Sequence, residues 1–152
     1  MKRGQAAIEY LIILAVVVII ALIVIGVIGG FPGMTRGVSE RDSAAYWAGA
    51  DIGITRFFIA TTGTSSQIVI RNNRLFQVNI TNIYFDGISV FATQTPLAPG
   101  SSTNITLIAA GSCPTAAQRY SKNVIITYKD ATYGVTYNFT GEKPLVGTCQ
   151  AV

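Results

Sequence analysis

The sequence predicts an α+β protein, a long hydrophobic N-terminal helix followed by an all-β antiparallel sandwich. Three observations predict it. Residues Leu11 to Ile28 are Leu, Ile, Val and Ala with a single glycine, Gly26. After Gly29-Gly30-Phe31-Pro32-Gly33 the chain turns polar, rich in Thr, Asn, Ser and Gly. There the apolar residues recur in short alternating runs separated by turn residues, the mark of half-buried strands.

The apolar run comes first. Eighteen residues without a charge are long enough to cross a bilayer as a helix. Lys2 and Arg3 hold the short N-terminal end in the cytoplasm, which places everything after Pro32 outside the cell. A helix without a polar face must be buried on all sides, in lipid or in protein. Three readings compete. A conventional signal peptide is cleaved after its apolar run at small residues, and Gly26, Gly29 and Gly30 offer only a weak site. A plain membrane anchor is the second, but it leaves Glu9 unexplained. An ionised carboxylate at the edge of an apolar helix is costly unless it is paired or lies at headgroup depth.

The third reading rests on the residues around Glu9. Lys-Arg-Gly-Gln-Ala-Ala-Ile-Glu-Tyr-Leu resembles the processing site of archaeal type IV pilins with a class III signal peptide. The matching positions are Arg3, Gly4, Gln5, Glu9, Tyr10 and Leu11 onward; Ala7 stands where the family commonly has Ser. The resemblance implies that a prepilin peptidase cuts between Gly4 and Gln5. It also implies an assembly ATPase with a membrane platform protein, and a filament made of copies of this chain. The new amine at Gln5 would pair with Glu9 of a neighbour and set register. Ala6, Ala7, Ala15, Ala21 and Gly26 offer places for close approach between helices, since small residues let apolar helices meet. On this reading residues 1–4 are a leader and 5–31 the membrane span and later filament core. Residues 32–46 form a linker or stalk and 47–152 an extracellular head. The implied function is adhesion by a surface filament. Archaellin or a minor pilin is the sister alternative, and a monomeric membrane-anchored binding module is the alternative of another class.

In the head, Ser39 to Asp42 are expected to cap a short helical turn leading to Trp47. Pro32 either ends the first helix or begins a second. Strands are expected near Ala50–Thr55, Gln67–Arg71, Phe76–Phe85, Ile88–Ala92, Thr103–Ala109, Asn123–Lys129 and Gly134–Thr140. Asn72-Asn73, Asp86-Gly87, Pro96–Ser102 and Lys129–Tyr133 separate them. Seven short strands suggest a sandwich of immunoglobulin-like topology. Trp47, Tyr84, Phe85, Phe91, Tyr128, Tyr137 and Phe139 fall at core-like spacing.

Cys113 and Cys149 are either two buried thiols or one disulfide, and a secreted compartment favours the bond. Such a bond closes a loop of about 37 residues, worth roughly 4 kcal/mol in the chain-entropy model. Asn79-Ile80-Thr81, Asn104-Ile105-Thr106 and Asn138-Phe139-Thr140 are N-glycosylation acceptors, with all three Asn expected to face solvent.

Composition excludes much else. There is no histidine, hence no Ser-His dyad and no imidazole ligand. The acidic residues are scattered, so no glycosidase pair is expected, and neither a cofactor nor a metal. Eleven basic residues less Lys2 and Arg3 leave nine against seven acidic, too few and too dispersed for phosphate tracking along nucleic acid.

Overall fold

The computed structural model describes residues 2–28, 32–61, 65–108, 113 and 115–151, with side chains from Ile8 onward except Ile25, 27–28 and 32–38. It divides into two compact units, Met1–Val38 and Ser39–Val152. The first unit is helical throughout its described residues. Helix α1 spans Lys2–Ile28, and helix α2 spans Pro32–Gly49. Pro32 therefore opens a second helix, in the first helical position, where its missing N–H and fixed φ are tolerated. The compact β unit begins at Ser39, ahead of the Trp47 boundary that the sequence suggested, because the second half of α2 is packed into it.

That half of α2 projects Ser43, Tyr46 and Trp47 onto the β unit, a helical i, i+3, i+4 spacing. Ser43 Oγ donates to the Pro144 carbonyl at 2.7 Å and accepts the Val146 N–H at 3.0 Å. Tyr46 Oη accepts the Glu142 N–H at 2.8 Å, and Lys143 pairs with Asp42 at 2.7 Å. Trp47 is fully buried and meets Phe139 edge-on, with centroids 6.1 Å apart. The 142–146 segment is thus clamped along the helix.

Ten strands follow among the described residues: β1 Ile52–Phe58, β2 Gln67–Asn72, β3 Val78–Phe85, β4 Ile88–Phe91, β5 Thr95–Leu97, β6 Ser102–Thr106, β7 Arg119–Lys122, β8 Val124–Asp130, β9 Thr136–Thr140 and β10 Leu145–Thr148. They form three sheets, ordered β1-β2-β6, β10-β7 and β4-β3-β8-β9, with β5 added to β3. Every pairing between these strands is antiparallel. The described fold is therefore an N-terminal helical segment followed by a mostly antiparallel β unit. One core unites the sheets: Ile52, Ile54, Ile68, Ile70 and Ile105 from the first join Val78, Ile80, Ile83, Phe85, Val124, Ile126 and Tyr128 from the third.

Strand chemistry explains the local choices. β2 and β8 alternate strictly, burying Ile68, Ile70 and Asn72, and Val124, Ile126, Tyr128 and Asp130. β3 alternates with one slip, because a bulge between Ile80 and Asn82 shifts the phase from Val78/Ile80 to Ile83/Phe85. Asp86 and Gly87, at φ 50° and 82°, make the two-residue turn between β3 and β4. Both central residues at positive φ match the twist of a hairpin, and Asp-Gly supplies them.

Asp86 also ties that hairpin to the strand beyond it. Its Oδ1 accepts the Asn123 N–H at 2.9 Å, and its Oδ2 pairs with the largely buried Lys122 at 3.0 Å. Partial burial pushes the carboxyl up, but the Asn123 N–H and Lys122 outweigh it and hold it below its ordinary 3.8. A carboxylate with a depressed folded pKa stabilises the protein above its ordinary pKa, and that stability is lost as pH falls through the folded value. Thermal unfolding of wild type should therefore drop on acidification below about pH 4. Asp86→Asn should start lower at neutral pH and lose less over that interval. Parallel pH profiles for the two proteins would show that Asp86 contributes nothing.

Packing around Trp47 is equally specific. A Cβ at Gly141 would run into the Trp47 indole, which has no room to move away. Gly141→Ala should destabilise the β unit by about 1–3 kcal/mol through overpacking. Denaturant unfolding followed by the fluorescence of Trp47 is the check.

Candidate processing and assembly site

The residues singled out around the leader lie on α1. Gly4 and Gln5 fall in its first turns, so the bond between them belongs to a helical backbone. The side chains of Gln5, Ala6 and Ala7 lie outside the described set, and so does any register contact made by Gln5. Glu9 is described and exposed, and it is the only charged side chain among those described on α1. None of the ion pairs found among the described residues involves it.

From Ile8 onward the described helix beside Glu9 is apolar and uncovered. Ile8, Tyr10, Leu11, Ile12 and Ile13 are each at least 59% exposed, and no large side chain from Leu14 to Val24 is buried. Burying a side chain of this kind yields about 1.5–3 kcal/mol, so leaving the whole set in water forfeits roughly tens of kcal/mol. Isolated α1 therefore demands an apolar environment. Over the described side chains alone no helix is long and apolar enough to cross a membrane. On the sequence, where Ile25, Val27 and Ile28 extend the run, the stretch reaches bilayer length. Ala15, Ala21 and Gly26 are exposed on this rod, and a Cβ at Gly26 would meet nothing within 4 Å. Among the described residues nothing calls for a glycine there.

In the β unit, Cys113 and Cys149 form a disulfide with Cα atoms 5.5 Å apart. The glycosylation acceptors divide. Asn104 lies on β6, an outer strand of its sheet, and Asn138 on β9, an outer strand of another, and both are exposed. Asn79 lies on β3 between β5 and β8, on the face opposite the buried Val78 and Ile80, and is half-buried there. A strand flanked on both sides leaves less room than one with a free edge. Of the expected core aromatics, Trp47, Phe85, Phe91 and Tyr128 are buried and Phe139 packs against the core. Tyr84 is half-buried, and Tyr137 is exposed and stacked on Tyr128 at 5.5 Å.

Leu75 is 96% exposed in the loop between β2 and β3. The only signal of this in the sequence was its place in Asn72-Asn73-Arg74-Leu75, an apolar residue where turn residues are expected.

A chain of this plan is a β unit carried behind an apolar rod that has one carboxylate near its start. Residues 2–28 match the family model described as Class III signal peptide. The match indicates a filament subunit of the type IV pilin-like or archaellin-like kind, with a precursor inserted in the membrane, processed by a prepilin peptidase and assembled on the cell surface. No curated protein matches the chain.

Proposed function

We propose that this chain is the structural subunit of an archaeal type IV pilus, an extracellular filament used for surface adhesion, rather than an enzyme. The observation that supports this most is the Arg3-Gly4-Gln5…Glu9-Tyr10 pattern at the head of a rod with apolar side chains on every side. Cutting between Gly4 and Gln5 removes Lys2 and Arg3, the charges that hold the helix end in the cytoplasm. It leaves an amine that pairs with Glu9 of a subunit already in the filament. In an apolar surround that pair sets axial register more than it adds net stability.

Transfer from lipid to a bundle of identical helices gains little hydrophobic free energy, because lipid tails and leucine are similarly apolar. Packing at Ala6, Ala7, Ala15, Ala21 and Gly26 then supplies the fit, and an ATPase with its platform protein supplies the work. The head is an immunoglobulin-like sandwich displayed outward.

Glycans on the head belong to the same reading. Asn104 and Asn138 sit on outer strands, where a sugar would also blunt an edge open to pairing with other chains. Peptide mapping by mass spectrometry should find glycan at one or both of them and none at Asn79. Glycan confined to Asn79 would overturn this assignment.

Electron microscopy of shed filaments, with mass mapping and N-terminal sequencing of the subunit, tests the whole. A filament whose subunit begins at Gln5 supports the proposal. A mature start at Met1 favours the monomeric anchored module, and a start near Phe31 favours conventional secretion. A rotary motility filament built from this chain would make it an archaellin.

A further inference from the structure

We infer that the N-glycan carried by Asn104 folds back over the outer face of the β1-β2-β6 sheet and seats its first sugars on Val69 and Phe58. The contact rests on the reading of a secreted, glycosylated head given above. It adds a place and a structural task for one of the glycans.

The pairing register lays out that face. Val69 stands opposite Arg56 on β1 and Asn104 on β6, and Gln67 stands opposite Phe58 and Thr106. Gln67 and Val69 point away from the core, since Ile68 and Ile70, which alternate with them, are fully buried. Two rows of side chains therefore cross the three strands. One runs Asn104, Val69, Arg56, and the other Thr106, Gln67, Phe58. From one outer strand to the other is roughly 10 Å, twice the spacing of neighbouring strands.

A cavity of about 310 Å³ opens on these rows, lined by Arg56, Phe58, Gln67, Val69 and Asn104. Its size falls at the lower end of small-molecule sites, and apolar surface with a few placed polar groups is their usual lining. Phe58 is 37% exposed and Val69 is half-buried, so apolar surface lies open to water there. Arg56 enters none of the ion pairs among the described residues.

The occupant follows from the attachment point. Asn104 is the acceptor of Asn104-Ile105-Thr106 and itself lines the cavity, so a sugar joined to its Nδ2 begins inside it. That nitrogen already donates to Gln67 Oε1 at 2.9 Å. An amide nitrogen that carries a sugar keeps one hydrogen, so the bond to Gln67 is compatible with the glycan and holds the amide in one orientation. Covalent attachment makes contact with Val69 and Phe58 an intramolecular event, at an effective concentration in the millimolar range. A pyranose ring has a face of C–H groups, which packs on Val69 and the Phe58 ring, and hydroxyls, which accept from Arg56 and Gln67. Asn138 is placed differently. Its Oδ1 accepts from Thr127 Oγ1 at 2.8 Å, and the side chains on that face of the adjoining strand are Ile125, Thr127 and Lys129. No aromatic ring stands beside it there, so a glycan at Asn138 stands off the surface.

The test uses the full chain, solubilised in detergent from the cells that make it. Mass mapping should place a glycan on Asn104. Thr106→Val abolishes the acceptor but keeps Asn104 and its bond to Gln67, and it should lower the melting temperature by about 3–6 °C. In a Phe58→Ser background the same change should cost no more than about 1 °C, because coupled sites are not additive. Thr140→Val, which abolishes the acceptor at Asn138, should leave melting unchanged in both backgrounds. A measurement without any variant guards against misfolding at Phe58: in the wild-type chain, sugar C–H proton resonances should be shifted upfield by an aromatic ring. Equal losses in the two Phe58 backgrounds, or sugar resonances at free-glycan positions, would overturn the seat and leave the filament reading standing. So would a bare Asn104 in subunits recovered from filaments. Coupling between Thr106 and Phe58 in a chain that never forms filaments would support the seat and sink the filament reading.

Discussion

Glu9→Ala should leave leader cleavage and head folding intact and reduce filaments below detection. The variant removes a carboxylate that is exposed and that enters none of the ion pairs among the described residues, so no described contact of the isolated subunit goes with it. Its effect falls on the assembled state. There the Gln5 amine of an incoming subunit would be taken into an apolar bundle without a partner. Leaving one member of a buried pair uncompensated costs about 3–5 kcal/mol. In a polymer that cost would recur at every subunit, and with the proposed pair would go the signal that fixes one helix against the next. Glu9→Gln keeps a hydrogen-bond acceptor without the charge and should assemble poorly, with irregular register visible in electron micrographs. N-terminal sequencing of the membrane fraction should find Gln5 first in both variants. Normal filaments from Glu9→Ala would remove the pairing role altogether.

What the sequence disclosed depended on how local the cause was. The apolar rod was legible because eighteen successive uncharged residues leave no other conformation for that environment. The turn at Asp86-Gly87 was legible because two successive positive φ values need that chemistry. The strands with strong alternation, β2, β3 and β8, were found with nearly their observed bounds.

The strands that went unnoticed lacked a local signal. β5 contains Pro96, which removes a ladder donor, and survives as a short strand against β3. β7 reads Arg-Tyr-Ser-Lys and is a strand because β10 pairs with it, not because its residues favour one. β10 owes its place to Ser43, which holds Pro144 and Val146 from a hundred residues away. A non-local cause of this kind also holds the second half of α2, where Ser43, Tyr46 and Trp47 dock on the β unit.

The candidate site divided in the same way. Glu9 stood out in sequence because a charge in an apolar run is anomalous by itself. Alternation gave Asn79 its face, opposite Val78 and Ile80, but not its flanking strands, so its partial shielding beside β5 and β8 was not legible. The exposure of Leu75 was not legible either, because it comes from ties made by Asn72, Asn73 and Arg74 to distant carbonyls and rings.

Replacing Cys113 or Cys149 by serine should lower head stability by about 2–5 kcal/mol. Both cysteines are buried, and the bond spans 36 residues of sequence, so the chain-entropy account alone gives roughly 4 kcal/mol. The location argues for the upper half of that range. β7 and β10 form a two-stranded sheet whose register ends at Arg119 opposite Thr148. Such a pair is marginal without support. The disulfide joins the chain just beyond that end, and the Cys149 N–H and carbonyl continue the pairing with Gln118 and Ala117, each at 2.8 Å. Gln150 then reaches across to Ile59 and Thr61, which ties the same segment to the chain just past β1. Opening the bond frees this end while the Ser43 and Tyr46 contacts still hold the other. Loss should therefore begin in β7 and β10 and leave the β3-β8-β9 sheet protected. Reduction, or either serine variant, should lower the melting temperature on the order of 10–20 °C for a head of this size. Amide exchange should rise first at residues 119–122 and 145–148. Melting that is indifferent to reductant, or exchange that rises uniformly across all three sheets, would show that the bond is not what secures this corner.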